Sequence, residues 1–516
     1  MKHLLILLLV TFIPLLLKPQ NYPLSHNLEI EYQLNQSTQL SLSATSMHPW
    51  IIKEPDTIKR TKGTWLSRKL FREHLLGINN STVKFTIDPL FNFQRGYERV
   101  ESKYTLTNTH GFILKGSLVK KFTFESTFAE TQSVFPSYLD KFIRKDSVVP
   151  GSGVAKKLGE DGWYYKMLSG NISYTPNKNF NFQFGTGKHF IGEGYRSMLL
   201  SDQAFNYPFL RITTSFWHIK YTNLYAKLQD LSHFSDGSIN YRNKNINIQL
   251  LSLDITRNIN IGFFEATIWS TPVKFSNLGS DLKYLNPVIF IRPGGYNLGG
   301  LDNKVLGLML NYRLRRTTIY GQVILDEFKL KEILAANGWW GNKQGFQIGV
   351  KSLEPFNIKG MYFLTELNQA RPYTYSHDYR ITNYGHYNQP LADPLGANFR
   401  EWVNVLRYQK GKWILQAKLI TALYGLNINN NQNYGKDIFE PYYTRVPILN
   451  NRIGQGLKTT LLYTDIHLSY VINPAIHFEF LVGMKYRKES NTSFTQKDNE
   501  FYIGFSTNLF NNYNDF

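Results

Sequence analysis

The stretch His477-Phe478-Glu479-Phe480-Leu481-Val482-Gly483-Met484-Lys485-Tyr486-Arg487 carries the fold in miniature. His477, Glu479, Gly483, Lys485 and Arg487 fall on one face of a strand, and Phe478, Phe480, Val482, Met484 and Tyr486 on the other. The run before it repeats the pattern, with Leu462, Thr464, Ile466, Leu468, Tyr470 and Ile472 opposite Tyr463, Asp465, His467 and Ser469. Further upstream, Trp413, Leu415, Ala417, Leu419 and Leu423 alternate with Gln416 and Lys418. A soluble sandwich also alternates, but its strands do not need the roughly 9–11 residues that cross a bilayer at a tilt. Charge on the second face suits a hydrated lumen. Lys418, Asp465, His467, Glu479, Lys485 and Arg487 are therefore expected to face inward.

Outward from this stretch, a period of two extends from about residue 83 to the end, broken by two kinds of connection. Short turns are predicted near Val119-Lys120, Thr175-Pro176-Asn177-Lys178, Trp217-His218, Arg257-Asn258, Arg315-Arg316, Glu354-Pro355, Lys410-Gly411 and Asn473-Pro474. Long loops are predicted between them, at about 131–163, 187–207, 230–245, 270–303, 329–342, 368–400 and 424–458. Strict alternation of tight turns with long loops is the habit of outer-membrane barrels. The eight hairpins, with one strand near 83–93 and one at 498–510, predict an all-β, transmembrane antiparallel outer-membrane β-barrel of about eighteen strands. In the last strand Phe501, Ile503, Phe505 and Leu509 oppose Tyr502, Gly504, Ser506 and Asn508, and the chain ends on Phe516. A final amphipathic strand with a terminal aromatic resembles the assembly signal of such barrels and predicts integral location in the outer membrane of a Gram-negative bacterium.

Composition agrees. The 516 residues include 33 Tyr, 36 Phe and no Cys, and a mean hydropathy of −0.32 with no apolar run of helix-spanning length after residue 20 excludes a helical membrane protein. Met1-Lys2-His3 followed by an apolar run from Leu4 to Leu17 predicts a signal peptide over 1–20. Residues 21–82 read as a periplasmic or plug segment with one amphipathic helix, because Trp65, Leu66, Leu70, Phe71 and Leu75 share a stripe that Arg68, Lys69, Arg72 and Glu73 mostly avoid. Residues 83–516 form the barrel. A formal charge of +20 would suggest nucleic acid in a cytosolic protein; in an exported one it suggests outer-membrane lipid and acidic surface polysaccharide instead.

Catalytic signatures are weak. Gly185-Thr186-Gly187-Lys188 lacks both the earlier Gly, position 182 being Phe, and the Ser or Thr after Lys that a phosphate loop needs. His189, Glu193 and Asp202 match no zinc spacing, and Asp326-Glu327, adjacent on a strand, should point to opposite faces. No enzyme, cofactor or metal is expected. The richest loop is 368–400, where Arg371, Tyr373, Tyr375, His377, Tyr384, His386, Tyr387, Asn398 and Arg400 combine flat rings with polar groups. Such a set suits sugar recognition, since rings pack on apolar sugar faces while polar groups bond hydroxyls; a structural constriction of the barrel mouth uses the same residues. Trp339 and Trp340 extend that surface or serve as interfacial anchors.

Several loops carry a family resemblance. Gly192-Glu193-Gly194-Tyr195-Arg196-Ser197-Met198-Leu199-Leu200-Ser201-Asp202, Tyr284-Leu285-Asn286-Pro287, Gly321-Gln322-Val323-Ile324-Leu325-Asp326-Glu327-Phe328, Arg371-Pro372-Tyr373-Thr374-Tyr375-Ser376-His377 and Pro394-Leu395-Gly396-Ala397-Asn398-Phe399 resemble the Wzi family of capsule-assembly proteins. The likeness is to its Bacteroidetes branch, which includes RemB-like gliding motility proteins, and it runs over most of 83–516. It implies an eighteen-stranded barrel and a non-enzymatic, lectin-like hold on capsule-type polysaccharide. The branch also implies an alternative, a structural part in a gliding or secretion machine with other envelope proteins; inward charge leaves a diffusion porin as a further alternative. The branch usually has Arg where this chain has His110 and His where it has Asp393, and polysaccharide contacts are not carried over.

Overall fold

The computed structural model describes residues 19–21, 24–35, 40–53, 62–80, 82–119, 121–233, 238–270, 283–290, 302–507 and 510–516. The apolar run assigned to a signal peptide, and most of the expected 270–303 loop, lie outside the described residues. Eighteen strands form the wall. The first nine are β1 Val83–Glu98, β2 Lys103–Leu118, β3 Phe122–Val134, β4 Gly162–Tyr174, β5 Phe180–Gly187, β6 Tyr207–Phe216, β7 Ile219–His233, β8 Ile239–Asp254 and β9 Ile259–Trp269. The others are β10 Asp302–Leu314, β11 Thr317–Glu327, β12 Lys343–Leu353, β13 Met361–Ala370, β14 Phe399–Lys410, β15 Trp413–Leu426, β16 Leu457–Asn473, β17 Phe478–Ser490 and β18 Thr495–Ser506. Each pairs antiparallel with its sequence neighbours, and β18 closes on β1 from Glu500↔Glu98 to Ser506↔Asn92. The fold is thus a closed antiparallel barrel of the outer-membrane type, in which backbone groups are satisfied between strands.

The alternation in the quoted stretch becomes an inside and an outside. Ile466, Leu468, Val482, Met484, Phe501, Ile503 and Phe505 are exposed on the outer wall, whereas Tyr463, Ser469, Leu481 and Tyr502 are buried. Tight connections at 119–121, 175–179, 217–218, 255–258, 315–316, 354–360, 411–412 and 474–477 share one end of the barrel. At the opposite end the expected strict run of long loops is interrupted. The strands of the predicted 230–245 loop continue to pair through His233↔Ile239, and the connections at 99–102 and 491–494 are also short.

The N-terminal segment enters the lumen. Helix α1, His26–Asn35, buries Leu28, Glu29 and Ile30, and the following short helix α2, Leu42–Thr45, docks on β8 through Ser43, whose N and Oγ donate to Asp254 at 3.0 and 2.6 Å. Met47–His48 then pairs with Phe190–Ile191 of the loop after β5. The stripe Trp65 to Phe71 does form a helix, α3, but it neither plugs the lumen nor buries that stripe: Trp65, Leu66, Leu70 and Phe71 are exposed. The plug is built from the less amphipathic residues upstream.

The lumen is also less uniformly polar than the alternation at 477–487 predicts. Inward residues of β7 to β11, including Leu224, Leu228, Ile246, Ile248, Phe264, Ile268, Val305 and Ile324, form one apolar core with Met198, Leu199 and Leu200 from the 188–206 loop and Tyr375, Tyr384 and Leu391 from the 371–398 loop. These strands are apolar on the lumen side because folded loop packs there, whereas the outward face of β8 and β9 carries Asn247, Gln249 and Glu265, which bond the backbone of the 283–290 segment at 2.7 Å each. A charge introduced on the outer wall distinguishes the two sides. Val482→Arg, in mid-strand, should lower stability by about 2–4 kcal/mol in urea unfolding from phospholipid vesicles, and an unchanged midpoint would refute the lipid-facing assignment.

Candidate functional site

The long-loop end is where the expected recognition residues meet, and they meet in two separate clusters. In the first, loops 328–342 and 427–456 are tied together by Trp340 N to Ile448 O at 3.0 Å and Asn450 N to Asn337 O at 2.9 Å. Buried Trp340 packs against Tyr442 at 4.8 Å and edge-on to Tyr373 at 6.3 Å, and the Arg445 guanidinium covers its ring at 4.1 Å. Tyr373 OH donates to Asn433 O at 2.9 Å. Trp339 is only half-buried, with the Lys329 ammonium 4.7 Å from its ring centroid, and half-buried Arg371 reaches the Trp339 carbonyl at 3.4 Å. His377, buried, lies 5.9 Å from Tyr442 and 6.2 Å from Tyr379, which is exposed as is Tyr443.

The second cluster lies deeper. Tyr375 and Tyr384 stack at 5.6 Å inside the apolar core, with their hydroxyls donating to Met198 O at 2.7 Å and Leu199 O at 2.5 Å. His386 Nδ1 accepts Gln229 N–H at 2.9 Å, so its proton sits on Nε2, which donates to Asn206 O at 3.2 Å. Tyr387, half-buried, packs between Phe205 and Tyr241. Asn398 bridges four backbone groups, donating to Gly425, Tyr434 and Gln455 carbonyls and accepting Gly454 N–H at 2.8 Å. Arg400 stands apart: it is exposed on the outward face of β14 and donates to Gln369 at 2.7 Å. Of the expected set, then, Trp339, Arg371, Tyr387 and Arg400 are reachable from solvent, and the remainder are buried scaffold.

The lumen holds a network that sequence reasoning missed. Fully buried Arg196 meets Glu401 at 3.2 Å and Asp515 at 2.9 Å; Asp515 also receives Lys418 at 2.5 Å and Tyr195 OH at 2.6 Å. Burial disfavours the Asp515 carboxylate, but Arg196 and Lys418 outweigh it and hold its pKa far below the usual range. Burial and the adjacent Glu401 push the Asp393 carboxyl well up. This network turns the C-terminus inward. The last strand ends at Ser506, and Phe516, expected as its terminal aromatic, packs against Phe142 at 5.0 Å while its main-chain oxygen accepts from Arg487 at 3.1 Å. The only sequence signal was an acid, Asp515, set in an aromatic tail.

Lys418, Asp465, His467, Glu479 and Lys485 line an internal cavity of about 620 Å³ bounded by α1 and the tail. Tyr502 OH donates to Asp465 at 2.8 Å, Lys485 pairs with Glu500 at 3.0 Å, and Arg487 pairs with Glu489 at 2.8 Å. Asp326 and Glu327 do not diverge as an unbroken strand requires. A bulge between Leu325 and Glu327 lets Lys343 reach both, at 3.0 and 3.5 Å. His189, Glu193 and Asp202 are also separated: His189 lies 3.3 Å from Tyr207 OH, Glu193 binds Thr45 and Lys351, and Asp202 accepts from Tyr513 OH at 2.6 Å.

No protein family model matches this chain, and no curated protein matches it. Among solved structures it is similar to Wzi of Escherichia coli, an outer-membrane protein involved in group 1 capsule assembly and a carbohydrate-binding β-barrel, at 12% identity over 81% of this chain and 85% of that one, with a TM-score of 0.47. It is similar to OprD of Pseudomonas aeruginosa at 10% identity over 82% and 92%, TM-score 0.42. OccAB2 of Acinetobacter baumannii matches at 10% identity over 82% and 97%, TM-score 0.44. None of these similarities defines a family for the chain.

Burial lowers the His386 pKa to about 3. The unfolded chain takes up this proton near about pH 6.5, so the stability of the loop is complete above that value and falls as pH drops between the two. Hydrogen exchange over 383–391, corrected for its intrinsic rate, should therefore rise from neutral pH to about pH 4.5; constant protection would contradict the buried neutral imidazole.

Proposed function

We propose that this chain is a non-enzymatic barrel of a Gram-negative outer membrane that binds surface polysaccharide of the capsule type at its long-loop end. The observation that carries the reading is the apolar core inside the barrel, which turns two inward loops into the fixed foundation of a surface. On that foundation Tyr379 and Tyr443 present rings to solvent, Trp339 stands half-buried, and Lys329 and Arg371 lie within the same loops. Rings stack on the apolar faces of sugars, and basic groups attract acidic ones. Buried Tyr373, Tyr375, His377, Tyr384 and Asn398 act as support in this scheme. The resemblance of the loop motifs to the Wzi family agrees with it.

Replacing Trp339, Tyr379 and Tyr443 together by Ala should weaken binding to polysaccharide purified from the producing cell by at least about tenfold, at roughly 0.5–1.5 kcal/mol per ring. Heat-modified migration of the folded barrel should not change. Equal binding by the variant would overturn the proposal.

The polar cavity beside β14 to β18 favours a second reading, a diffusion porin whose path runs along Lys418, Asp465 and Lys485. The two readings separate in planar bilayers. A platform whose lumen is occupied by α1 and by a tail pinned at Asp515 should show no steady conductance, while a porin conducts.

A further inference from the structure

Helix α3, Trp65–Phe71, has a Thr64 N-cap whose side chain accepts Ser67 N–H, yet this ordered helix buries none of its residues. Among the described residues its hydrogen bonds and ion pairs to the wall run through backbone carbonyls and charged side chains. Asn473, at the tight end of β16, donates to the carbonyls of Lys69 and Glu73 at 2.9 and 3.1 Å, and Arg68 and Lys69 flank the buried Glu73 carboxylate at 3.6 and 3.2 Å. The chain then enters the wall: His74 Nδ1 lies 2.6 Å from Asp88, and Leu75 N donates to the same carboxylate at 2.9 Å. Trp65 and Leu66 remain 59% and 60% exposed, and Leu70, Phe71 and Leu75 are also exposed.

The next residues carry this face onto the outer wall. Strand Leu76–Asn79 pairs with β1 from Leu76↔Ile87 to Asn79↔Lys84, below the point where β18 leaves β1 at Asn92. Directly opposed residues share a face, so exposed Leu76 and Ile78 lie with Ile87 and Phe85 on the outer, lipid-facing wall, opposite to inward Thr86 and Asp88. The apolar face of α3 is continuous along the chain with that wall. The tight end as a whole is marked the same way: Trp217 is 83% and Phe356 91% exposed at turn tips, with Val119 and Ile255 exposed on others. Aromatic and aliphatic groups gather at this level where a barrel meets the headgroup region. Exposed Lys62 and Arg72 border the α3 face and add positive charge suited to lipid phosphates.

We propose that α3, together with Leu76–Asn79, is an interfacial anchor that binds the phospholipid leaflet at the tight-turn end. The apolar face lies in the boundary between headgroups and acyl chains, and the basic residues lie at the phosphates. Bound lipid thereby covers the seam where β18 gives way to a short substitute strand.

The chain has no cysteine, so single sites can be labelled cleanly. Leu70→Cys and Lys62→Cys, each carrying an environment-sensitive fluorophore, are reconstituted in vesicles of phosphatidylethanolamine and phosphatidylglycerol containing lipids with a quencher near the glycerol backbone; heat-modified migration verifies the fold. The label at 70 should be quenched several-fold more strongly than that at 62, with blue-shifted emission and poor access to aqueous iodide. Equal lipid quenching at the two sites, or equal access to iodide, overturns the proposal. So does shielding of position 70 in native membranes but not in pure lipid, which would assign the face to a protein partner.

Discussion

Hydrocarbon offers no partner to a backbone N–H or C=O, and a spanning sheet must therefore return to its own first strand. In this protein that return is incomplete over part of its height. β18 pairs with β1 only between Asn92 and Glu98, and Thr507 N–H adds a last bond to Phe91 O at 2.9 Å. The lower edge of β1 is satisfied by Leu76–Asn79 instead. The N-terminal segment is thus part of the wall as well as of the lumen, and the positions of α3 and the C-terminal tail both follow from how the seam is finished.

Closure creates an interior that has to be filled or hydrated, and the barrel does both. Around β7 to β11 the inward side chains and two re-entrant loops pack into an apolar core, while around β14 to β18 charges pair across a cavity. The boundary between these regimes is the Arg196, Glu401, Asp515 and Lys418 network, which joins a loop, two strands and the tail. A buried charge set of this kind is costly unless every member is matched, and removing one partner of such a pair typically costs about 3–5 kcal/mol. It specifies a single path for the tail rather than adding to stability in proportion to its contacts.

The same filling changes what the loop residues do. A ring or an imidazole in a rich polar-aromatic loop reads equally well as ligand contact or as support, because both uses need flat surfaces and hydrogen-bonding edges. Tyr375, Tyr384 and His386 spend those edges on the carbonyls of Met198, Leu199 and Asn206 and on Gln229 N–H. The rings left exposed at the rim are those of neighbours such as Tyr379 and Tyr443, with Trp339 half-buried.

Local alternation, turn chemistry and strand length are properties of consecutive residues, and from them the barrel class, its eighteen strands and most of its turns could be read directly in the amino-acid order. Inward placement of Lys418 or Lys485 was likewise a matter of parity along a strand. Parity does not reveal what lies across the lumen, so the apolar half of the interior, which needs loops distant in sequence to fold onto β7 to β11, was invisible. A single bulge at Leu325/Glu327 was enough to reverse the expected divergence of Asp326 and Glu327. The helical stripe at Trp65 to Phe71 was legible, but whether it met protein or lipid depended on where β18 stopped. The destination of Phe516 depended on a buried Arg196 more than three hundred positions away. Periodicity determined which residues line up on one surface; only the closed tertiary structure decided what each surface touches, because long-range pairing and burial, not local pattern, set the partner of a side chain.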